Sequence, residues 1–198
     1  MQGKTIGQEY WTNLYKNNET TWDIGFPAPA LKDYIDQLSD KSLSILIPGC
    51  GNAYEAEYLL AQDFLNVTLI DIVPALTAEL EKKFGSDVGK RIHIVTGDFF
   101  KHDDRYDLIL EQTFLSALHP SLRVQYVNKM HSLLSKGGHL TGLLFNKVFD
   151  EEGPPYGGTL DEYRKMFEEK FVVKTLEPCY NSIERRKGAE AFINLIAR

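Results

Sequence analysis

Apolar positions in this chain form two kinds of run. Short contiguous blocks suited to buried strands alternate with longer stretches in which apolar residues recur at i, i+3 and i+4. Residues 42–47 are the clearest block: Leu43, Ile45, Leu46 and Ile47 are long enough for a buried strand and too short for a helix. Further strands are predicted over 67–71, 91–95, 106–110, 139–145, 171–176 and 191–196. Helical spacing is predicted over 53–61 (Ala53, Ala56, Leu59, Leu60) and from Pro74 to near Phe84. It recurs over 120–134 (Leu122, Val124, Tyr126, Val127, Met130, Leu133, Leu134) and over 161–170. Lys136-Gly137-Gly138 reads as the stop of the third of these helices.

Ahead of the first strand lie two shorter amphipathic segments. Residues 9–15 carry Trp11, Leu14 and Tyr15 on one face, and 30–38 carry Leu31, Tyr34, Ile35 and Leu38. Between them, Trp22 to Pro29 is irregular, punctuated by Gly25, Pro27 and Pro29. The alternation predicts one α/β domain over 1–198, with residues 1–40 as an N-terminal helical cap and 41–198 as a Rossmann-like core. That core is a seven-stranded, mostly parallel sheet with helices on both faces, its last two strands an antiparallel pair at one edge.

Chemistry enters at the end of the first strand. Pro48 closes it, and Gly49 and Gly51 permit a tight turn before the next helix, as in the first unit of a nucleotide-binding fold. A dinucleotide fingerprint would need glycine where Tyr54 stands, and no Gly-Lys-Ser/Thr loop is present to cradle phosphates. A nucleoside ligand without a diphosphate remains, and S-adenosylmethionine fits, its amino-acid part lying along the glycine turn. Asp71 ends the second strand about 20 residues after that turn, where a carboxylate accepts ribose hydroxyls; it could also be a cap before Pro74. Asp98 could accept the adenine amino group while Phe99 packs on the ring, or Gly97-Asp98 could be a plain turn.

Glu111 and Gln112 leave the fourth strand at the same edge, and Glu111 could equally cap a following helix. Trp11, Tyr15 and Trp22 read either as core or as an aromatic lid for a sulfonium cation. Residues 151–158, Glu-Glu-Gly-Pro-Pro-Tyr-Gly-Gly, predict a lid loop beside the pocket. His93, His119 and His131 read as structural, and Arg185-Arg186 as a solvated charge run or a pocket mouth.

Composition narrows the partners. With 43% hydrophobic and 25% charged residues the 198-residue chain is ordinary globular material. A net charge of -6 argues against a nucleic-acid partner. No apolar run spans a membrane, and residues 1–20 lack the apolar core of a secretory leader. Cys50 and Cys179 make no disulfide framework and have no metal spacing. The expectation is a cytoplasmic protein acting on a small molecule, with no metal; the oligomeric state is left open, a monomer included.

The order of motifs resembles class I S-adenosylmethionine-dependent methyltransferases, and its details resemble the thiopurine methyltransferase family, closest to the plant halide and thiol methyltransferases. The motifs are Trp11, Tyr15 and Trp22-Asp-Ile-Gly, Ile47-Pro-Gly-Cys-Gly, Gly97-Asp-Phe-Phe, Glu111-Gln-Thr-Phe-Leu-Ser-Ala-Leu-His-Pro, Leu134-Ser-Lys-Gly-Gly and Gly153-Pro-Pro-Tyr. The resemblance implies cofactor contacts at Trp11, Tyr15, Trp22, Gly49, Gly51, Asp71, Asp98, Phe99 and Gln112. It also implies an acceptor near Trp22, Glu111, Gln112, Pro155, Tyr156 and Arg186. Tyr15 stands where the halide and thiol enzymes have tryptophan. Gln112 stands where they have tyrosine and the thiopurine enzymes arginine.

The activity so implied is methyl transfer to a small thiol, with halide as a side acceptor. The pocket expected is apolar, with Gln112 beneath it and no fixed cation. Thiopurine S-methylation, O- or N-methylation of a small metabolite, and a non-enzymatic nucleoside-binding module are the alternatives.

Overall fold

A computed structural model of the chain describes residues 6–150 and 153–198. Its strands are β1 (Ser44–Pro48), β2 (Asn66–Asp71), β3 (Ile92–Thr96), β4 (Tyr106–Gln112), β5 (Leu134–Phe145), β6 (Phe171–Pro178) and β7 (Glu190–Ala197). They form one sheet in the order β3-β2-β1-β4-β5-β7-β6. The first five run parallel, and β7 runs antiparallel to both of its neighbours. The sequence predicts this arrangement, and β1 is interior as the glycine-turn reading requires.

Because β1 is covered on both faces, every second residue goes to a different core. Ile45 and Ile47 pack on one side with Val67, Leu69, Leu108 and Leu110, while Leu46 packs on the other with Ile70 and Ile109. The first side is covered by α2 (Pro29–Ile35), α3 (Tyr54–Ala61) and α4 (Pro74–Phe84). The second is covered by α6 (Arg123–Leu133) and α7 (Leu160–Phe167), through Tyr126, Met130, Leu133, Tyr163 and Phe167. A period-2 strand buried twice explains why these blocks read as continuous apolar runs. The cap's first helix, α1 (Gln8–Lys16), has no buried residue and presents Trp11 and Tyr15 to the first core as half-buried rings. A short helix, α5 (Phe114–Ala117), follows β4.

Four local expectations are corrected. Ala53 is not helical: it precedes α3 in the left-handed conformation (φ 56°), completing the turn that Gly49 and Gly51 begin. Lys136-Gly137-Gly138 does not stop α6. The helix ends because Leu134 turns extended (φ -93°, ψ 139°) to pair with Tyr106, and residues 135–138 lie within β5, where the register slips before Leu108 meets His139. Pairing to β4 thus outcompetes local capping. Val124, expected on the apolar face, is 74% exposed, since residues 120–122 form a separate 3-10 turn that resets the helical phase. Leu38 lies beyond the end of α2.

Candidate active site

A cavity of about 680 Å³ runs along the carboxyl ends of β1 to β5. Its floor begins at the turn after β1. There Gly49 (φ 57°) donates its N–H to the Ile70 carbonyl at the end of β2 (2.8 Å), and Gly51 follows at φ 51°. Both residues sit in the left-handed region that glycine enters without penalty. A Cβ at position 49 would also run into the Phe114 ring. From the end of β2, Asp71 accepts the Val73 N–H at 3.0 Å and the Gly51 N–H at 3.4 Å. Burial pushes its carboxyl pKa up against the pull of those backbone donors. These bonds fill part of its lone-pair capacity, and the residue lines the cavity, so hydroxyl donors from a ligand would relieve the desolvation.

Asp98 follows β3, accepts the Phe100 N–H at 2.9 Å and caps the 3-10 turn that starts at Phe99. The turn reading of this residue is the geometry present, and the capped carboxylate also lines the cavity beside Phe99. The Phe99 ring meets Phe114 edge-on at 4.9 Å between centroids.

The cap closes the cavity from above. Trp22 is met edge-on by Trp11 at 5.4 Å and by Tyr15 at 5.7 Å. Burial and the nearby Asp71 carboxylate hold the Tyr15 phenol well above its usual range, so it is neutral and a donor. The loop carrying Trp22 is pinned at both ends. Asp23 accepts from the Asn52 amide and, at 3.3 Å, from the Tyr54 hydroxyl, and the buried Glu55 carboxylate accepts the Ala28 N–H at 2.9 Å. Arg185 donates to the Asp23 carbonyl and Arg186 to the Trp22 carbonyl, each at 2.7 Å.

Arg186 corrects the sequence reading. It is 7% exposed, not solvated, and pairs with buried Glu190 at 3.2 Å while its guanidinium stands over the Phe145 ring. Arg186 lines the cavity and Glu190 does not, so the positive end of the pair faces the ligand space. Periodicity could not show this, because a 3-10 turn over Glu184–Arg186 folds the segment back beneath the cap.

The structure thus brings together Trp11, Tyr15, Trp22, Gly49, Asp71, Asp98, Phe99, Pro155 and Arg186 around one cavity. Gly51 and Gln112 line a smaller neighbouring pocket of about 50 Å³, which shares Trp22, Gly49 and Thr113 with the larger space. Gln112 is therefore not beneath the main cavity, and its amide oxygen accepts from the Thr113 hydroxyl at 3.1 Å. Glu111 is turned away and buried; its carboxylate accepts from the N–H groups of Phe114 and Leu115, so the capping geometry is the one present. Tyr156 packs edge-on against His119 outside the cavity, while Pro154 and Pro155 supply the loop's contribution. Of that loop, Glu151 and Glu152 lie outside the described residues. The sequence reading missed Thr113, Phe114, Ser116 and Leu118, which form the wall over β4. Their signal was the motif from Glu111 to Pro120 just past a strand end, of which only Glu111 and Gln112 were singled out.

None of His93, His119 and His131 lines either cavity. His93 is exposed on β3, His119 caps a 3-10 turn through Ser121 N–H, and His131 packs edge-on against Phe171. Among the described residues no cluster of His, Cys, Asp and Glu could hold a metal ion, and no helix is long and apolar enough to cross a membrane.

The profile of the family described as thiopurine S-methyltransferase (TPMT) matches residues 6–194, from the start of the cap into β7. The chain belongs to the thiopurine S-methyltransferase family. As a member it is an S-adenosylmethionine-dependent methyltransferase, and the glycine turn, the accepting carboxylate of Asp71 and the aromatic cap suit that cofactor.

Among relatives of this methyltransferase, a probable thiol methyltransferase 2 from Arabidopsis thaliana is 30% identical over 159 residues, covering 79% of this chain and 70% of the relative. Thiocyanate methyltransferase 1 from the same plant is 26% identical over 191 residues, covering 94% and 84%. The fold is shared with 1,6-didemethyltoxoflavin-N1-methyltransferase of Burkholderia thailandensis, crystallised with 1,6-didemethyltoxoflavin and S-adenosylhomocysteine. That match has a TM-score of 0.77 at 18% identity, over 96% of this chain and 86% of that one. Family membership sets aside the reading of a non-enzymatic nucleoside-binding module.

Proposed function

We propose that this methyltransferase acts on a small thiol or a comparably polarisable anion. The carrying observation is the chemistry of the cavity over β4 and β5. Phe114, Leu118, Phe145, Phe149 and Pro155 make it apolar, and the cations lining the cavity are the buried Arg186 and the more exposed Arg185. Bound S-adenosylmethionine supplies a methyl group already activated on a sulfonium, so the protein's task is to hold, align and dry the site. In this reading Asp71 takes the ribose hydroxyls, Asp98 and Phe99 the adenine, and the Gly49–Gly51 turn the amino-acid part. Trp11, Tyr15 and Trp22 turn aromatic faces toward the cation. The acceptor occupies the apolar end, where Arg186 favours its ionised form.

A thiol with a pKa near 8.5 is a few per cent thiolate at neutral pH, so no dedicated base is required. The names of the two plant relatives, a thiol and a thiocyanate methyltransferase, support the same acceptor class. Aromatic walls beside a guanidinium also suit a planar heteroaromatic thiol, which keeps thiopurine S-methylation as the second reading.

The test is an acceptor panel that follows S-adenosylhomocysteine release with hydrosulfide, an aryl thiol, iodide, a thiopurine and a catechol. Turnover on hydrosulfide or the aryl thiol, rising with pH through the acceptor's own pKa, is expected. Turnover confined to the catechol, with a bell-shaped pH profile, overturns the reading.

A further inference from the structure

Glu111 is fully buried near the end of β4 and lines neither cavity, yet its carboxylate has three hydrogen-bond partners. One carboxylate oxygen accepts the Phe114 N–H at 2.7 Å, both accept the Leu115 N–H at 3.2 Å, and the second accepts the Tyr126 hydroxyl at 2.5 Å. The neighbouring strand makes room for it. Gly142 of β5 stands opposite Glu111, and a Cβ there would overlap the Glu111 backbone and Cβ.

What this carboxylate holds is a helix that cannot hold itself. α5 has four residues, too few for an autonomous helix, and its N-cap position, Thr113, is left-handed (φ 62°) with no side-chain cap bond. The front of α5 is the Phe114 ring in the cavity wall. From its far end the Ser116 carbonyl accepts the Tyr156 N–H at 2.7 Å, and Arg123 at the start of α6 donates to the Gly157 carbonyl at 2.5 Å. Pro154 and Pro155, which line the cavity, are thereby followed by a segment tied to α5 at Tyr156, to α6 at Gly157 and to β5 through Gly158 N–H on the Phe145 carbonyl (3.1 Å). The hydrogen bonds of the cofactor end lie elsewhere: Asp71 accepts from Val73 and Gly51, Asp98 accepts from Phe100, and Gly49 donates to Ile70, so α5 meets that end only through the Phe114 ring against Phe99 and Gly49.

We propose that Glu111 and Tyr126 are positioning residues for the acceptor, fixing α5 and the Pro154–Pro155 segment as one wall, taking from the preceding reading only that the acceptor lies over β4 and β5. Neither side chain touches the reacting atoms. Their effect is to keep the acceptor on line, which a displacement reaction demands to within a fraction of an ångström.

The test uses Glu111→Gln and Tyr126→Phe in the full chain. In ligand-free protein, amides of Phe114, Leu115 and Tyr156 should exchange with deuterium about tenfold faster, while amides of β1 to β3 keep wild-type protection. Calorimetric affinity for S-adenosylmethionine should stay within about twofold, while kcat for an accepted substrate falls about tenfold and its KM changes less. Cofactor affinity falling in step with kcat would show a general structural role and overturn the proposal. So would unchanged exchange at Phe114, Leu115 and Tyr156. Should Glu111→Gln fail to fold, Tyr126→Phe decides alone, since it removes one bond and leaves the carboxylate in place. If the wild-type protein methylates no thiol or halide, the acceptor reading falls, and the exchange measurement still judges the wall.

Discussion

The Arg186 guanidinium donates to the Trp22 carbonyl at 2.7 Å across 164 positions of sequence. With the Glu190 pair it joins the cap, the end of the sheet and the cavity wall at one point. Arg186→Met should therefore leave Glu190 buried without a partner and free the Trp22 loop. A loss of about 3–5 kcal/mol in unfolding free energy is expected by denaturant titration, with part recovered in Arg186→Met/Glu190→Gln. A loss under about 1 kcal/mol would show that the pair is solvated in the working protein.

Asp71→Ala should weaken S-adenosylmethionine binding by about 1.5–3 kcal/mol, the cost of losing charge-assisted hydrogen bonds, as read by calorimetry. Folding should change little in comparison, since burial already holds this carboxyl pKa above its ordinary value. Unchanged affinity would remove Asp71 from the cofactor site.

Glu111 gives a pH signature. Burial raises its carboxyl pKa to about 7, against the opposing pull of the Tyr126 hydroxyl and the Leu115 and Phe114 amides. A folded pKa above the ordinary 4.5 means that the native state binds this proton more tightly than the unfolded chain. The associated stability is fully present below about pH 4.5 and is lost as pH rises through about 7. Measured against Glu111→Gln, which does not titrate, wild-type stability should fall by about 3 kcal/mol between pH 4.5 and 8. A pH-independent difference would contradict the shift.

Gly49→Ala combines two penalties, a left-handed φ of 57° and a Cβ directed into the Phe114 ring. A loss of about 1–3 kcal/mol is expected. In Gly49→Ala/Phe114→Ala the steric part should vanish and the backbone part remain. Strict additivity in that double-mutant cycle would show that the two residues do not meet.

The strand order and the part of the cavity proposed for the cofactor were legible because they are encoded locally. A buried strand, a Gly-x-Gly turn and an acid one strand later are patterns of neighbours, and Gly49, Asp71 and Asp98 stand where those patterns put them. The acceptor end was not, because its parts meet only through long-range contacts. Arg186 looked like part of a charged surface run until Glu190 and the Trp22 carbonyl are placed around it. Gln112 adjoins Thr113, which lines both cavities, yet reaches only the smaller of the two. The helix boundary at Leu134 was misread because pairing with Tyr106 outweighs the Gly137-Gly138 stop signal.

The two halves of the cap also differ in what secures them. The Trp22 loop is bonded at Asp23, Ala28 and both arginines, whereas α1 contributes no buried residue and leans on the core through half-buried rings. Fewer buried contacts mean a lower cost of local opening, so α1 should open before the Trp22 loop does. A ligand leaving past α1 would then find the Trp22 loop still in place.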